Sequence, residues 1–343
     1  MKSMKIRAGL RSAVYLFACI VLLYVVVFMP TPYIVYQPGS ASEIAPMIQV
    51  EQADPAEKGT FMMTTVSARY ANVALLALSA FNKNAEIDKK AKRLGNQSEE
   101  EYAATQVFYM NSSQSFAVQA AYREAGIPYE NVPEYLFVFS VPGENKGPLL
   151  PGDRILRVEG KAVTDPDALA ALLGKHKVGD SVQVKLRRGD SELEENIKLV
   201  EVKNEGQKAR PGFGVVIGAI QKVQASKPGR EVHFTDTNVG GPSAGLMFTM
   251  EIYNRLTPGD LTRGYRVAGT GTIDGEGRVG PIGGVKHKIV AADREGAEIF
   301  FVPEGNYKEA LTKAEEIGTD MKLVKVTALK DALDYMKKLP AKE

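Results

Sequence analysis

Cysteine is almost missing from this 343-residue sequence: Cys19 is the single thiol, which excludes an internal disulfide and a thiolate metal cluster. Histidine is nearly as scarce. His176, His233 and His287 have no ligand spacing, so no metal centre is expected. Charge of one sign is also lacking. Forty-three basic and 41 acidic residues leave a net +2 with no long block, and this excludes the clustered Lys/Arg face of a nucleic-acid binder. No Gly-x4-Gly-Lys-Ser/Thr loop occurs, so neither a nucleotide nor any other cofactor is expected.

What is present begins with an apolar run, Ala13 to Met29. As a helix it would cover ~25 Å, and Gly9, Leu10 and Ser12 extend it toward the thickness of a bilayer core. Lys2, Lys5, Arg7 and Arg11 precede it, and the first Lys after it is Lys58. This asymmetry predicts a single-pass membrane anchor with a cytoplasmic N-terminus and the bulk of the chain outside the cell. A cleaved signal peptide fits less well, because the run ends Val27-Phe28-Met29-Pro30 rather than on small residues. The tetrapeptide ending at Cys19 resembles a lipoprotein box, but ten more apolar residues follow it.

The length of 343 residues suits two or three domains. Residues 31–125 read as strands at Tyr33–Tyr36 and Phe61–Val66, a turn at Gln37–Ser40, an exposed connection over Asn84–Gln97, and a helix from Glu100 to Ala125. A second unit, 126–205, has a strand at Leu136–Val141, a turn at Pro151-Gly152-Asp153 and a strand at Arg154–Val158. A hairpin at Glu159-Gly160 follows, then a helix after a capping Thr164 with Pro166 in its first turn. Gly174 ends that helix, and two alternating strands complete the unit. The stretch Leu149-Leu150-Pro151-Gly152-Asp153-Arg154-Ile155-Leu156-Arg157-Val158-Glu159-Gly160 resembles a PDZ domain. The resemblance implies a peptide added as a strand in a groove between Leu136–Val141 and Asp167–Leu173, with Leu136, Phe137, Val138, Leu169 and Leu172 as contacts. Pro133 and Glu134 stand where amides for a terminal carboxylate would be expected, which speaks against carboxylate capture there.

Beyond a polar linker at Gly206–Pro211, the last unit, 206–343, reads as strands at Phe213–Ile220 and Glu231–Thr237, then Asn238-Val239-Gly240-Gly241-Pro242-Ser243-Ala244-Gly245 leading into a helix. Ser243 thus stands where a glycine-rich loop meets a helix start, whose outward amides favour negative charge. Amides around Gly240, Gly241, Ser243 and Ala244 are the candidate oxyanion donors. A serine hydroxyl needs a base. The Gly-x-Ser-x-Gly pattern also fits an α/β-hydrolase elbow, but only His287 follows, and too soon. Gly275-x-Gly277-x-x-Gly280 meets the dinucleotide fingerprint, but Pro281 and more glycines follow instead of a helix. The remaining candidate base is Lys286 in Gly280-Pro281-Ile282-Gly283-Gly284-Val285-Lys286-His287-Lys288, since burial beside Val and Ile lowers an amine's pKa. Lys288 is read as a solvated charge.

Gly-Pro-Ser-Ala-Gly followed by Pro-Ile-Gly-Gly-Val-Lys resembles the proteolytic domain of Lon proteases (peptidase family S16) over about Gly212 to Leu339, with Gly269–Ile273 and Ile299–Pro303 as further matching segments. The resemblance implies a Ser–Lys dyad of Ser243 and Lys286, supported by Thr270. Gly240 departs from it, standing where Lon usually has an acid. Anchor, PDZ-like unit and Lon-like unit in that order resemble the bacterial membrane-anchored PDZ–Lon proteases. The expected fold class is an α/β (α+β) Lon-type domain plus a small β-rich PDZ-like domain behind one transmembrane helix. The expected function is ATP-independent serine endopeptidase action on extended peptides or protein segments at the outer face of the membrane. The rival expectation is a non-enzymatic peptide receptor or scaffold with an inert Lon-like fold. Self-association into rings is implied by the resemblance alone.

Overall fold

The computed structural model describes residues 2–53, 58–142, 147–203, 208–235 and 239–342, with side chains from Ala13 onward. Gly206 and Gln207 of the expected linker, Asp236 and Thr237 of the expected strand, and Asn238 lie outside the described residues. The chain divides into two units: Met1–Gly39 with Thr65–Asn96, and Ser40–Thr64 with Gln97–Glu343.

The first unit opens with helix α1 (Lys2–Phe28) and continues into strand β1 (Pro30–Glu43), which passes on into the second unit. Strand β2 (Ile48–Val50) lies wholly in the second unit, and β3 (Thr60–Asn72) returns from there to the first. Helix α2 (Val73–Ser79), β4 (Glu86–Lys89) and α3 (Lys90–Leu94) complete the first unit. The expected turn at Gln37–Ser40 is instead continuous β1. A Cβ at Gly39 would fall 2.7 Å from the Thr65 carbonyl oxygen, so this glycine permits close strand approach rather than a reversal. The expected exposed connection over Asn84–Gln97 contains β4, which pairs antiparallel with β1 from Tyr33↔Lys89 to Tyr36↔Glu86. Among the described residues no helix is long and apolar enough to cross a membrane.

In the second unit, helix α4 (Glu99–Glu124) begins with a capping box between Ser98 and Glu101. The PDZ-like part follows: β5 (Tyr129–Ser140), β6 (Arg154–Val158), β7 (Lys161–Ala162), α5 (Pro166–Leu173), β8 (Ser181–Arg188) and β9 (Ser191–Lys198). Asp165, not Thr164, caps α5, its carboxylate accepting from the Ala168 amide at 2.8 Å. After β10 (Val200–Val202) and β11 (Arg210–Gly212) comes β12 (Val216–Ala225). The sheet order is β12-β5-β6-β8-β9. β12 pairs with β5 from Val216↔Ser140 to Ala225↔Tyr129, so the expected boundary after residue 205 falls inside one sheet.

The remaining elements are β13 (Val232–Phe234), α6 (Gly245–Leu256), β14 (Arg266–Gly269), β15 (Thr272–Ile273), β16 (Val279–Gly280), α7 (Val285–Arg294), β17 (Ile299–Pro303), α8 (Tyr307–Ile317), β18 (Lys322–Val326) and α9 (Leu329–Lys338). β18, β17, β14 and the first half of β3 form a parallel ladder. The inner strand β17, Ile-Phe-Phe-Val-Pro, is an unbroken apolar run because both its faces are covered, whereas the edge strand β18 carries exposed Lys322 and Lys325. Phe61, Met63, Val267 and Phe301 face a core shared with α4, α6 and α9. Met62, Ala268, Phe300 and Val302 face the other core, under α7 and α8.

α4 joins the two parts of this unit. The Glu101 carboxylate accepts from Ser140 Oγ at 2.7 Å and the Val141 amide at 2.9 Å, at the end of the PDZ-like strand β5. Burial works to raise its pKa, but hydrogen bonds from Ser98, Ser140 and Val141 hold it below the ordinary value. Glu101→Ala should cost about 1–2 kcal/mol of stability at neutral pH, because charge-assisted hydrogen bonds are lost. A depressed carboxyl pKa stabilises above its unfolded value and loses this as pH falls through the folded one. The gap between wild type and variant in thermal melts should therefore close below about pH 4.

Candidate active site

The site sits at the C-terminal end of β14, where Thr270 leaves the sheet, and is assembled from that strand, the loop before α6 and one face of α7. The Thr270 amide donates to the Phe301 carbonyl at 3.0 Å, continuing the sheet by one bond. The segment then returns to the serine loop. The Gly271 amide and the Thr270 hydroxyl both donate to the Ser243 carbonyl, at 2.9 and 3.0 Å. This fixes the backbone of Ser243 and leaves its side chain projecting from a half-buried position.

Helix α7 decides which lysine meets it. Val285, Ile289 and Ala292 are buried in the core under α7 and α8. Position 288 lies on the same stripe, three residues after Val285 and one turn before Ala292. Lys288 is accordingly 3% exposed, and its Nζ lies 2.7 Å from Ser243 Oγ and 2.9 Å from Thr270 Oγ1. Burial pushes its ammonium down to about 7. Lys286 projects from the other side of α7, exposed, with Nζ 3.6 Å from a Glu309 carboxylate oxygen. The expected pairing of Ser243 with Lys286 is therefore corrected: the amine at the serine belongs to Lys288. Thr270 lies where expected, fully buried, accepting from Lys288 and donating to the Ser243 carbonyl.

The loop before the serine is held by α4, which the sequence did not connect with the site. The Gly241 amide donates to the Gln106 carbonyl at 2.9 Å, and Ser113 Oγ donates to the Pro242 carbonyl at 3.0 Å. Gly241 has φ +92, a conformation that favours glycine. A Cβ on Gly240 would meet Gln106 Cβ at 2.9 Å, so that glycine serves close packing against α4. The expectation that Gly241 donates to an oxyanion is corrected in this conformation, because its hydrogen is already used. Ala244 is buried and caps the start of α6 with no side-chain hydrogen bond. Thr270→Val, which keeps shape and removes both hydroxyl bonds, should lower kcat about tenfold with little change in KM, the worth of one net hydrogen bond. Steady-state kinetics would check it.

The expected peptide groove along β5 is also corrected. Leu136, Phe137 and Val138 belong to β5, which is flanked on both sides, by β6 and by β12, and all three are buried. No edge of β5 remains to accept a strand along these residues. The edge strand beside α5 is β12. Ile217 and Ala219 pack on the same core as Leu169 and Leu172 of α5, both buried. The loop leading to this edge is Gly212-Phe213-Gly214. The stretch around Pro133 and Glu134, by contrast, pairs with β12.

The site thus sets a serine hydroxyl against a buried amine that can be neutral near pH 7, on a parallel α/β scaffold. Residues 184–338 match the family described as the Lon protease (S16) C-terminal proteolytic domain, and residues 131–199 match the PDZ domain. These two segments are thus similar to a Lon-type proteolytic domain and to a PDZ domain. The Lon protease of Elusimicrobium minutum is 34% identical over 131 residues, 38% of this chain and 16% of that protein. The Lon protease of Metamycoplasma arthritidis is 36% identical over 96 residues, 28% of this chain and 11% of that protein. The chain thus spans less than a fifth of the length of these relatives. A crystal structure of the PDZ domain of an SdrC-like protein from Listeria monocytogenes is 27% identical, covering 24% of this chain and 87% of that one, with a TM-score of 0.21.

Proposed function

We propose that this protein is a membrane-anchored serine endopeptidase in which Ser243 is the nucleophile and Lys288 the general base. The observation that carries the reading is the 2.7 Å contact between Ser243 Oγ and a lysine that burial brings to about 7. With the amine neutral, the hydroxyl donates its proton to Nζ as Oγ attacks the peptide carbonyl. The ammonium so formed is held by Thr270 Oγ1 and then protonates the leaving amine. Water, deprotonated by the restored amine, hydrolyses the ester. The Ser243 and Ala244 amides at the start of α6 are the candidate donors to the developing oxyanion.

Substrates on this reading are peptides or protein segments already extended, since the sequence holds no nucleotide loop to drive unfolding. The open edge of β12 beside α5 suits an added peptide strand. α1 is the proposed anchor, with the N-terminus cytoplasmic and the protease on the outer face. Its run from Ala13 to Phe28 carries exposed apolar side chains such as Leu16, Phe17, Leu22 and Phe28. Casein or quenched-peptide hydrolysis by the full chain in detergent tests the activity. Wild type should cleave and Ser243→Ala should fall to background; equal turnover by both would end the reading.

A further inference from the structure

Leu78 at the end of α2 is 71% exposed, and Phe81 just beyond it is 91% exposed. Two large apolar side chains so open to solvent, within four residues, need a partner or a solvent other than water. Their place in the first unit says which. α2 starts where α1 ends: Asn72 Oδ1 caps α2 through the Leu75 amide, and Asn72 Nδ2 donates to the Val27 carbonyl in the last turn of α1. α2 packs on α1, whose Val27 and Phe28, like Met29 just beyond it, are themselves exposed. The apolar surface of α1 therefore continues into α2 rather than stopping at Met29.

The charged residues of this segment are mostly basic. Within Thr65–Asn96 stand Arg69, Lys83, Lys89, Lys90, Lys92 and Arg93 against two acids, Glu86 and Asp88. Lys83 lies two residues from Phe81. An apolar tip bordered by cations is the composition of a segment lying in the interface of an anionic bilayer.

We propose that α2 and the turn after it, through Leu78 and Phe81, form a second membrane contact. It dips into the headgroup layer of an anionic phospholipid bilayer beside the point where α1 emerges, with Lys83, next to Phe81, on a lipid phosphate. The proposal rests on α1 being an anchor. Its effect would be to fix the first unit on the lipid surface at two points rather than through α1 alone. The bordering cations would make the contact depend on anionic lipid and on salt.

The sequence has no tryptophan, so Phe81→Trp supplies the sole indole of the full chain. The variant is reconstituted in phosphatidylcholine–phosphatidylglycerol vesicles, with and without lipids brominated in the upper acyl chain. Alkaline carbonate extraction run in parallel reports on α1 alone. The expected result is carbonate-resistant protein whose indole emission is blue-shifted and quenched by the brominated lipid, with quenching reduced in Leu78→Asp/Phe81→Trp. Resistant protein with a red, unquenched indole overturns the second contact while leaving the anchor standing. A blue-shifted but unquenched indole also overturns it, since the residue would then be covered by protein, as in self-association. Extraction by carbonate overturns the anchor itself and the proposal with it.

Discussion

Lys288→Met should lower peptide hydrolysis by about 10²–10⁴-fold, the contribution of a positioned general base, whereas Lys286→Met should keep activity within about twofold. The two positions share a helix and differ only in the face they occupy. Lys288 touches Ser243 and Thr270 from inside the core, while Lys286 meets Glu309 at the surface. Methionine preserves the length and apolar stem of lysine, so the effect isolates the amine. Lys288→Arg should be equally inactive, because a guanidinium does not deprotonate in this range. In the wild-type enzyme kcat/KM should rise with pH through a midpoint near 7 as the amine becomes neutral. Initial rates across pH 5.5 to 9 would check the set. Retained activity in Lys288→Met with loss in Lys286→Met would reverse the assignment.

The same substitution should stabilise the fold. A lysine in the unfolded chain titrates near 10.4, whereas Lys288 in its core is lowered to about 7. Between these values the unfolded chain holds a proton that the folded one has shed, so stability contributed by this group rises with pH. Below about 7 both states are charged and the full penalty of burying the ammonium persists. At pH 7 that penalty is about 3–5 kcal/mol, offset by roughly 1 kcal/mol for the hydrogen bonds to Ser243 and Thr270 that methionine cannot make. Lys288→Met should therefore be more stable than wild type by a few kcal/mol at neutral pH, and the difference should shrink as pH approaches 10. Urea unfolding at several pH values measures this directly. A variant less stable than wild type by a constant amount at every pH would contradict it. The expected exchange of stability for activity marks a site where function opposes folding.

The boundary between what the sequence shows and what it hides is visible in α7. Glycine loops, a serine at a helix start and a nearby lysine are local features, and each was legible. The choice between Lys286 and Lys288 needed the helical phase. Val285, Ile289 and Ala292 define a buried stripe that includes position 288 and excludes 286, so the signal was present in the spacing but was outweighed by proximity to the glycine loop. The PDZ groove failed for a different reason. β12 follows β9 in the chain yet pairs with β5, a long-range choice that no local pattern in 213–225 records. Gly241 reads as a substrate-facing amide in sequence, but the Gln106 carbonyl, more than a hundred residues away, takes its hydrogen. Helix α4 was easier: the helix read from Glu100 to Ala125 is Glu99–Glu124, whereas the strand read at Leu136–Val141 is only the latter half of β5, Tyr129–Ser140.

The central claim is most directly tested at Ser243 itself, without any natural substrate. Acylation of this hydroxyl by a small sulfonyl or acyl electrophile can be followed by peptide mass spectrometry as a function of pH in wild type, Lys286→Met and Lys288→Met. Modification at Ser243 should accelerate through a midpoint near 7 in the first two proteins and stay slow and pH-independent in the third. Labelling of Ser243 that survives in Lys288→Met with the wild-type pH profile would contradict the assignment of that amine as the base.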